Sequence, residues 1–422
     1  MAGIKKSQSL RKITDRETDG TMAPEILIIR LSALGDVVHT LPVAAAIKRY
    51  KPEAKITWIV EKLAAPLLQN NPAVDRLIIF PGKSLFKKTP APSAASEEMV
   101  ASDAAPLGLV LSESLAPKSA ASAQAPPEVS PIKAIVRFWR EFKSCKYDIV
   151  IDAQGLFKSA LLCWLSGAKI RIGFAHTREW ADRFLTHPVD VGDYFGPNQH
   201  IVDLNLKLIV KLFETIGSNV PATWLSAQFP LPVVPEDVKE RVRSWLSLSK
   251  TIKESEGNLI LIPGTTWNAK IWPLAKWQEL GKLLLSNNNY LLIICGGKSD
   301  LTINKQLEDD LTSSGKRSVL NLTGRTNLLE LIALFEQAQI VIGADSGPVH
   351  LATAVAKPKV IGIMGSTPWK RNGPYGKNSH SIALNLDCQP CFQKTCPLHT
   401  LACLNDLSAQ HVYEEIMDFI ER

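Results

Sequence analysis

The chain has 422 residues, 45% of them hydrophobic and 21% charged, with a formal net charge of +7. That length and apolar share suit two globular domains and exclude a disordered or fibrous chain. No uninterrupted apolar stretch approaches the ~20 residues a membrane-spanning helix needs. No helix-turn-helix, zinc-finger or RNA-recognition signature is present either, which argues against nucleic acid as a partner.

Residues 1–24 are polar, lack the apolar core of a signal peptide and have no period, so they read as a disordered tail of a cytoplasmic protein, with Met22 an alternative start. Residues 25–229 are expected to form a first domain, with strands at Ile26–Leu31, Lys55–Val60, Arg76–Phe80, Tyr147–Ile151 and Ile170–Phe174. Residues 89–131, rich in Ala, Pro and Ser, predict a disordered insertion before a basic helix at Ile132–Phe142. Within the insertion, the apolar run Leu107–Leu111 is either a solvated loop or a membrane contact. The Pro-rich passage Pro230–Pro235 predicts a hinge. Beyond it, residues 230–407 predict a second domain with strands at Leu259–Pro263, Tyr290–Cys295, Val319–Leu322, Ile340–Gly343 and Lys359–Met364, followed by an amphipathic segment at Ala409–Ile420. Strands alternating with helices throughout predict an α/β fold: two Rossmann-like parallel-sheet domains facing each other across a cleft.

Two strand–turn–helix units concentrate the chemistry. In the first, Ile26–Leu31 leads through Ser32-Ala33-Leu34-Gly35 to Asp36 at a helix start; in the second, Ile340-Val341-Ile342 leads through Gly343 and Asp345-Ser346-Gly347 to His350. Unpaired N–H groups and the dipole at such a helix start favour an anion, and ligands collect at the carboxyl ends of strands in open α/β sheets. Each aspartate can equally be a helix cap, and His350 can simply be packed. Two such turns able to face each other favour a nucleotide-sugar site. Neither unit contains Gly-x-Gly-x-x-Gly, which argues against a nicotinamide enzyme.

The ordered set of Arg30–Pro42, Ile151–Ala160, Pro263-Gly264-Thr265-Thr266 through Lys270–Pro273, and Gly343–His350 resembles glycosyltransferase family 9, the ADP-heptose:lipopolysaccharide heptosyltransferases, most closely the heptosyltransferase I type. The likeness runs from about Pro24 to the C-terminus apart from the 89–131 insertion. It implies the GT-B architecture, with residues 408–422 as a C-terminal helix returning to the first domain. It implies an inverting transfer of heptose from ADP-heptose to a Kdo residue of the lipopolysaccharide inner core. No cofactor is required for that reaction, and the enzyme would be peripheral to the cytoplasmic face of the inner membrane.

On this resemblance Asp36 is the base and Lys270 meets the charge on the departing ADP. Thr265, Thr266, Ser346, Gly347 and His350 surround the diphosphate, and Asp345 accepts from sugar hydroxyls. Asp300 is set against the adenosine ribose, or is only a helix cap, and Thr326 is near the adenine. The acidic acceptor, Kdo-lipid A or a relative, calls for cations: Lys158 and Arg178, with Arg137 and Arg140 either binding or forming the wet face of a helix. Gln154 and His200 would add neutral hydrogen bonds.

Cys145, Cys163 and Cys295 read as buried thiols. Cys388, Cys391, Cys396 and Cys403 cluster, with a Cys-x2-Cys pair at the start, and are either packed thiols or ligands of a structural zinc or iron–sulfur cluster. Two other readings stand beside the heptosyltransferase: a GT-B enzyme using another sugar nucleotide as transferase or epimerase, and a non-catalytic nucleotide-sugar-binding protein.

Overall fold

The computed structural model describes residues 23–82, 130–218, 221–249, 257–287, 290–313 and 318–422. The expected N-terminal tail and the 89–131 insertion, with Leu107–Leu111, lie outside the described residues except at their edges.

The first half comprises β1 (Glu25–Ile29), α1 (Leu34–Tyr50), β2 (Lys55–Glu61), β3 (Arg76–Phe80), α2 (Pro131–Lys143), β4 (Ile149–Asp152), α3 (Phe157–Leu165), β5 (Ile170–Phe174), β6 (His187–Val189) and α4 (Ile201–Thr215). All its strand pairs are parallel, in the order β3-β2-β1-β4-β5-β6. The two-residue period of β1 divides its side chains between layers. Ile26 and Ile28 pack with Val37, Leu41 and Leu208 of α1 and α4, while Leu27 and Ile29 pack with Phe138, Phe142 and Leu162 of α2 and α3. A strand buried on both faces has to be apolar throughout, which is why β1 reads as a continuous run.

The second half comprises α5 (Glu236–Ser249), β7 (Gly257–Ile262), α6 (Leu274–Asn287), β8 (Tyr290–Ile294), α7 (Leu301–Thr312), β9 (Val319–Asn321), α8 (Leu328–Glu336), β10 (Ala338–Ala344), α9 (Gly347–Ala354), β11 (Lys359–Ile363), α10 (Trp369–Asn372), β12 (Ser379–Ile382), α11 (Ala402–Asn405) and α12 (Ala409–Glu421). Its sheet is also parallel, ordered β12-β11-β10-β7-β8-β9. Counted from its own first strand, this is the winding of the first sheet. Each sheet therefore has one switch point, between β1 and β4 and between β7 and β10, where the loops leave in opposite directions and open a crevice. The expected α/β class with two parallel sheets is what the chain adopts.

Three details differ from expectation. The helix α12 does not return to the first half: Val412 and Ile416 are buried with Trp277 and Leu280 beside the second sheet, and Lys359 Nζ donates to the Phe419 and Ile420 carbonyls at 2.7 and 2.8 Å. The apolar stripe of this helix finds its complement on α6, so it stays there. Strands β6 and β12 escape the sequence pattern because both are short edge strands, one with Pro188 at its centre and the other with Ile382 as its single apolar residue. Finally, Gly347 serves helix packing. A Cβ on it would lie 2.9 Å from Leu34 Cβ, and one on Gly35 would lie 2.6 Å from His350 Cδ2. The starts of α1 and α9 thus touch directly, and their two glycines make the contact possible.

Candidate active site

Arg30 follows β1 and is buried. Its guanidinium holds Asp36 Oδ1 at 2.8 Å through Nη2 and donates to the Ala153 carbonyl through Nη1. Ala33 N–H donates to Asp36 Oδ2 at 3.1 Å, so the expected capping role of Asp36 exists alongside an ion pair. Its side chain still keeps 37% exposure, leaving lone pairs free for a proton. Gln154 accepts from the Leu31 and Ser32 N–H groups at 2.9 and 3.3 Å, so its side-chain oxygen shapes this turn. Burial opposes the charge on Arg30, but Asp36 and Tyr194 outweigh it and hold the guanidinium above its ordinary value.

At the second switch point, Asp345 is buried and fully engaged. Its Oδ2 lies 2.7 Å from Lys270 Nζ, its Oδ1 lies 3.2 Å from His350 Nε2, and the Thr367 hydroxyl donates to Oδ2. Burial penalises the carboxylate, yet the His350 hydrogen bond and the Lys270 charge keep its pKa well below the usual range. Thr265 donates to the Asp345 carbonyl at 3.1 Å, tying the β7 loop to the β10 loop. Lys270 also sits 4.4 Å from the Trp267 ring centroid, which fixes its stem. An ammonium has three donors, so Lys270 can hold Asp345 and still reach an anion. Ser346 is the N-cap residue of α9, and its buried Oγ has no hydrogen-bond partner. Thr266 is exposed on the same loop as Thr265.

Asp300 does cap its own helical turn, accepting from Gly297 N–H at 2.7 Å. The same carboxylate lies where a Cβ on Gly264 or Gly296 would be, 2.3 and 2.9 Å away, so it also overlooks the ends of β7 and β8. Gly324 N–H donates to the Gly296 carbonyl at 2.9 Å, which brings the turn bearing half-exposed Thr326 to the same strand end.

Between the halves lies a group the sequence reading passed over. His39 of α1 is buried, with its ring 4.4 Å from that of His350 and 5.6 Å from that of His200. His200 caps α4 by accepting from Val202 N–H at 3.1 Å, and its Nε2 lies 3.0 Å from the Gly373 carbonyl, so it also joins the two halves. Arg371 of α10 is buried and donates across the boundary to the Tyr194 carbonyl at 3.1 Å. Burial pulls it below its ordinary pKa against the opposing pull of Tyr194 and Asp36. Both ring nitrogens of His39, Nδ1 of His350, and Nε of Arg30 and Arg371 are buried without partners. The signal for Arg371 was its place in the loop after β11, a third strand end at this crevice.

Burial also pushes His39 well below the usual histidine range and His200 down to about 4. The folded protein refuses protons that the unfolded chain takes up below about 6.5, so stability is whole above that value and drains as pH falls toward 4. The urea midpoint should therefore fall between pH 7 and 5. The variant His200→Asn, which keeps a capping side chain, should lose less over that interval; an identical pH slope would remove His200 from the effect.

The expected acceptor cations lie on the first half. Lys158 pairs with Glu61 at 3.0 Å, exposed Arg178 covers the Phe195 ring at 4.6 Å, and Arg137 pairs with Glu141 at 2.7 Å on the outer face of α2, where Arg140 is also exposed. Cys163 and Cys295 are buried as expected, while Cys145 is half-buried against Arg76. Cys388, Cys391, Cys396 and Cys403 are free thiols lining one small cavity. Among the described residues no three His, Cys, Asp or Glu side chains are arranged to hold a metal ion.

The sequence profile of glycosyltransferase family 9 (heptosyltransferase) matches residues 135–402. The lipopolysaccharide core heptosyltransferase OpsX of Haemophilus influenzae is 25% identical over 365 residues, 86% of each chain. Lipopolysaccharide heptosyltransferase 1 of Pseudomonas aeruginosa is 25% identical over 379 residues, 88% of this chain and 87% of its own. The structure of E. coli heptosyltransferase WaaC with ADP superposes with a TM-score of 0.63 at 22% identity, covering 94% of this chain and 99% of that one.

Proposed function

The chain belongs to glycosyltransferase family 9 and is a glycosyltransferase of the heptosyltransferase kind, and on that premise we propose that it moves heptose from ADP-heptose onto a Kdo hydroxyl of the lipopolysaccharide inner core, with inversion at the anomeric carbon. The observation that carries this reading is the pairing of two switch points: a half-exposed carboxylate at the end of β1 and a Lys270–Asp345–His350 group at the end of β10. The acceptor oxygen attacks the anomeric carbon as that carbon's bond to the diphosphate oxygen breaks. Asp36 takes the hydroxyl proton, and ADP leaves with the bonding electron pair. Lys270 and the N-terminus of α9 meet the charge that builds on the diphosphate. Asp345 holds Lys270 and His350 in place while remaining ionised. A single displacement needs no covalent sugar intermediate and so no second carboxylate nucleophile.

Asp300 and Thr326 are proposed for the adenosine end, and Lys158 and Arg178 for the anionic acceptor. No step is assigned to the four clustered thiols. No described helix is long and apolar enough to cross a membrane, and the proposed place of work is the cytoplasmic face of the inner membrane.

The test is ADP release by the purified protein given ADP-heptose, with and without Kdo-lipid A. Release that requires the acceptor, with a heptose-sized mass gain on the lipid, is the expected result. Donor consumed without acceptor would point to epimerisation, and donor bound without turnover to a different acceptor or a binding role.

A further inference from the structure

The helix α2 has one broad apolar face, wider than the part that the core covers. Its inner side is ordinary core, with Phe138 and Phe142 buried against Leu162 and Cys163. Its outer side exposes Ile132 (72%), Val136 (60%) and Trp139 (36%). Their spacing of four and then three residues puts them on one stripe. Exposed Lys133, Arg137, Arg140 and Lys143 run along the side of that stripe away from the core. The helix carries one carboxylate, Glu141, which is half-buried and spent on Arg137 at 2.7 Å. At its C-terminal end Lys143 Nζ donates to the Leu165 carbonyl at 2.6 Å, beside Trp164 with 54% exposure.

We propose that this outer face of α2 docks on an anionic lipid surface. Aliphatic side chains and tryptophan beside a row of cations, on a helix at the domain surface, match an interface that is apolar a few ångströms below a negatively charged plane. An acidic protein would complement the cations but not call for a bare aliphatic stripe. The position fits as well. Phe138 of α2 lies 5.3 Å from Phe80 at the end of β3, and Lys158 Nζ lies 5.9 Å from the same ring. The helix is therefore one layer behind the acceptor-side lip of the crevice. Docking there presents the lip to a lipid-anchored acceptor; this purpose rests on the function proposed above, whereas the docking surface itself does not.

The experiment is flotation of the full chain with vesicles free of any acceptor, either zwitterionic phosphatidylcholine or phosphatidylethanolamine with phosphatidylglycerol. The parent should float with the anionic vesicles and leave them at high salt. The variant Ile132→Asp/Val136→Asp should lose at least tenfold in bound fraction, while its ADP release on detergent-dispersed acceptor stays at the parental rate. Equal flotation of parent and variant, or equal binding to both vesicle types, would overturn the proposal. So would failure to float at all, with capture instead by immobilised polyglutamate, which would assign the face to an acidic protein. Because flotation needs no turnover, it stands even if the heptose acceptor is another molecule.

Discussion

Replacing Asp36 with Asn is expected to lower acceptor-dependent ADP release by roughly 10²–10⁴-fold, the usual span of a general base, with ADP affinity within a few-fold of the parent. The substitution keeps size and shape. An asparagine oxygen can still accept from Ala33 N–H, which Asp36 Oδ2 meets at 3.1 Å, so the start of α1 should persist. What is lost is the charge that pairs with Arg30 at 2.8 Å and the capacity to take a proton. Arg30 has other partners, the Ala153 carbonyl among them, so it should stay in place. In the proposed arrangement ADP lies at the other switch point, beside Lys270 and α9, away from the Asp36 carboxylate. Circular dichroism and ADP titration check the fold and the donor site; stopped turnover with both intact is the expected pattern. Near-parental turnover would remove Asp36 as the base.

The sequence carried the fold because both sheets are buried on both faces. Strands such as β1 and β10 must then be apolar throughout, and such runs between helices leave few other arrangements. The edge strands β6 and β12 contact the core on fewer sides and lost the pattern accordingly. The site was legible wherever a residue acts through its own turn, as Asp36 and Asp345 do. It was illegible where the role depends on a partner from the opposite half. Nothing in Val37-Val38-His39 says that His39 will meet His350, and nothing around Arg371 says that it will reach the Tyr194 carbonyl. Gly347 likewise has a partner that its own turn does not announce: the space a Cβ would need there is taken by Leu34 of the other half. The stripe on α12 showed that this helix packs but not against which half.

The pair Lys270–Asp345 gives the sharpest separation of binding from stability. Its side chains are 13% and 4% exposed, so it is close to a buried ion pair. Removing one partner of such a pair costs about 3–5 kcal/mol because the other charge is left uncompensated. Asp345→Asn should show that cost most clearly, since it strands the Lys270 ammonium and leaves only a neutral amide against His350 Nε2. Lys270→Ala should cost less, because Asp345 keeps His350 and the Thr367 hydroxyl. It should instead weaken donor use by a charge-assisted contact of ~1.5–3 kcal/mol, roughly 10- to 150-fold in kcat/KM for ADP-heptose. The double variant Lys270→Ala/Asp345→Asn removes both charges together, so its loss in urea midpoint should be smaller than the sum of the two single losses, while donor use stays as poor as in Lys270→Ala alone. Additive stability losses would mean the two side chains do not act as a pair in solution. Parental donor kinetics in Lys270→Ala would take the ammonium out of the diphosphate site and leave the N-terminus of α9 to meet the leaving charge alone.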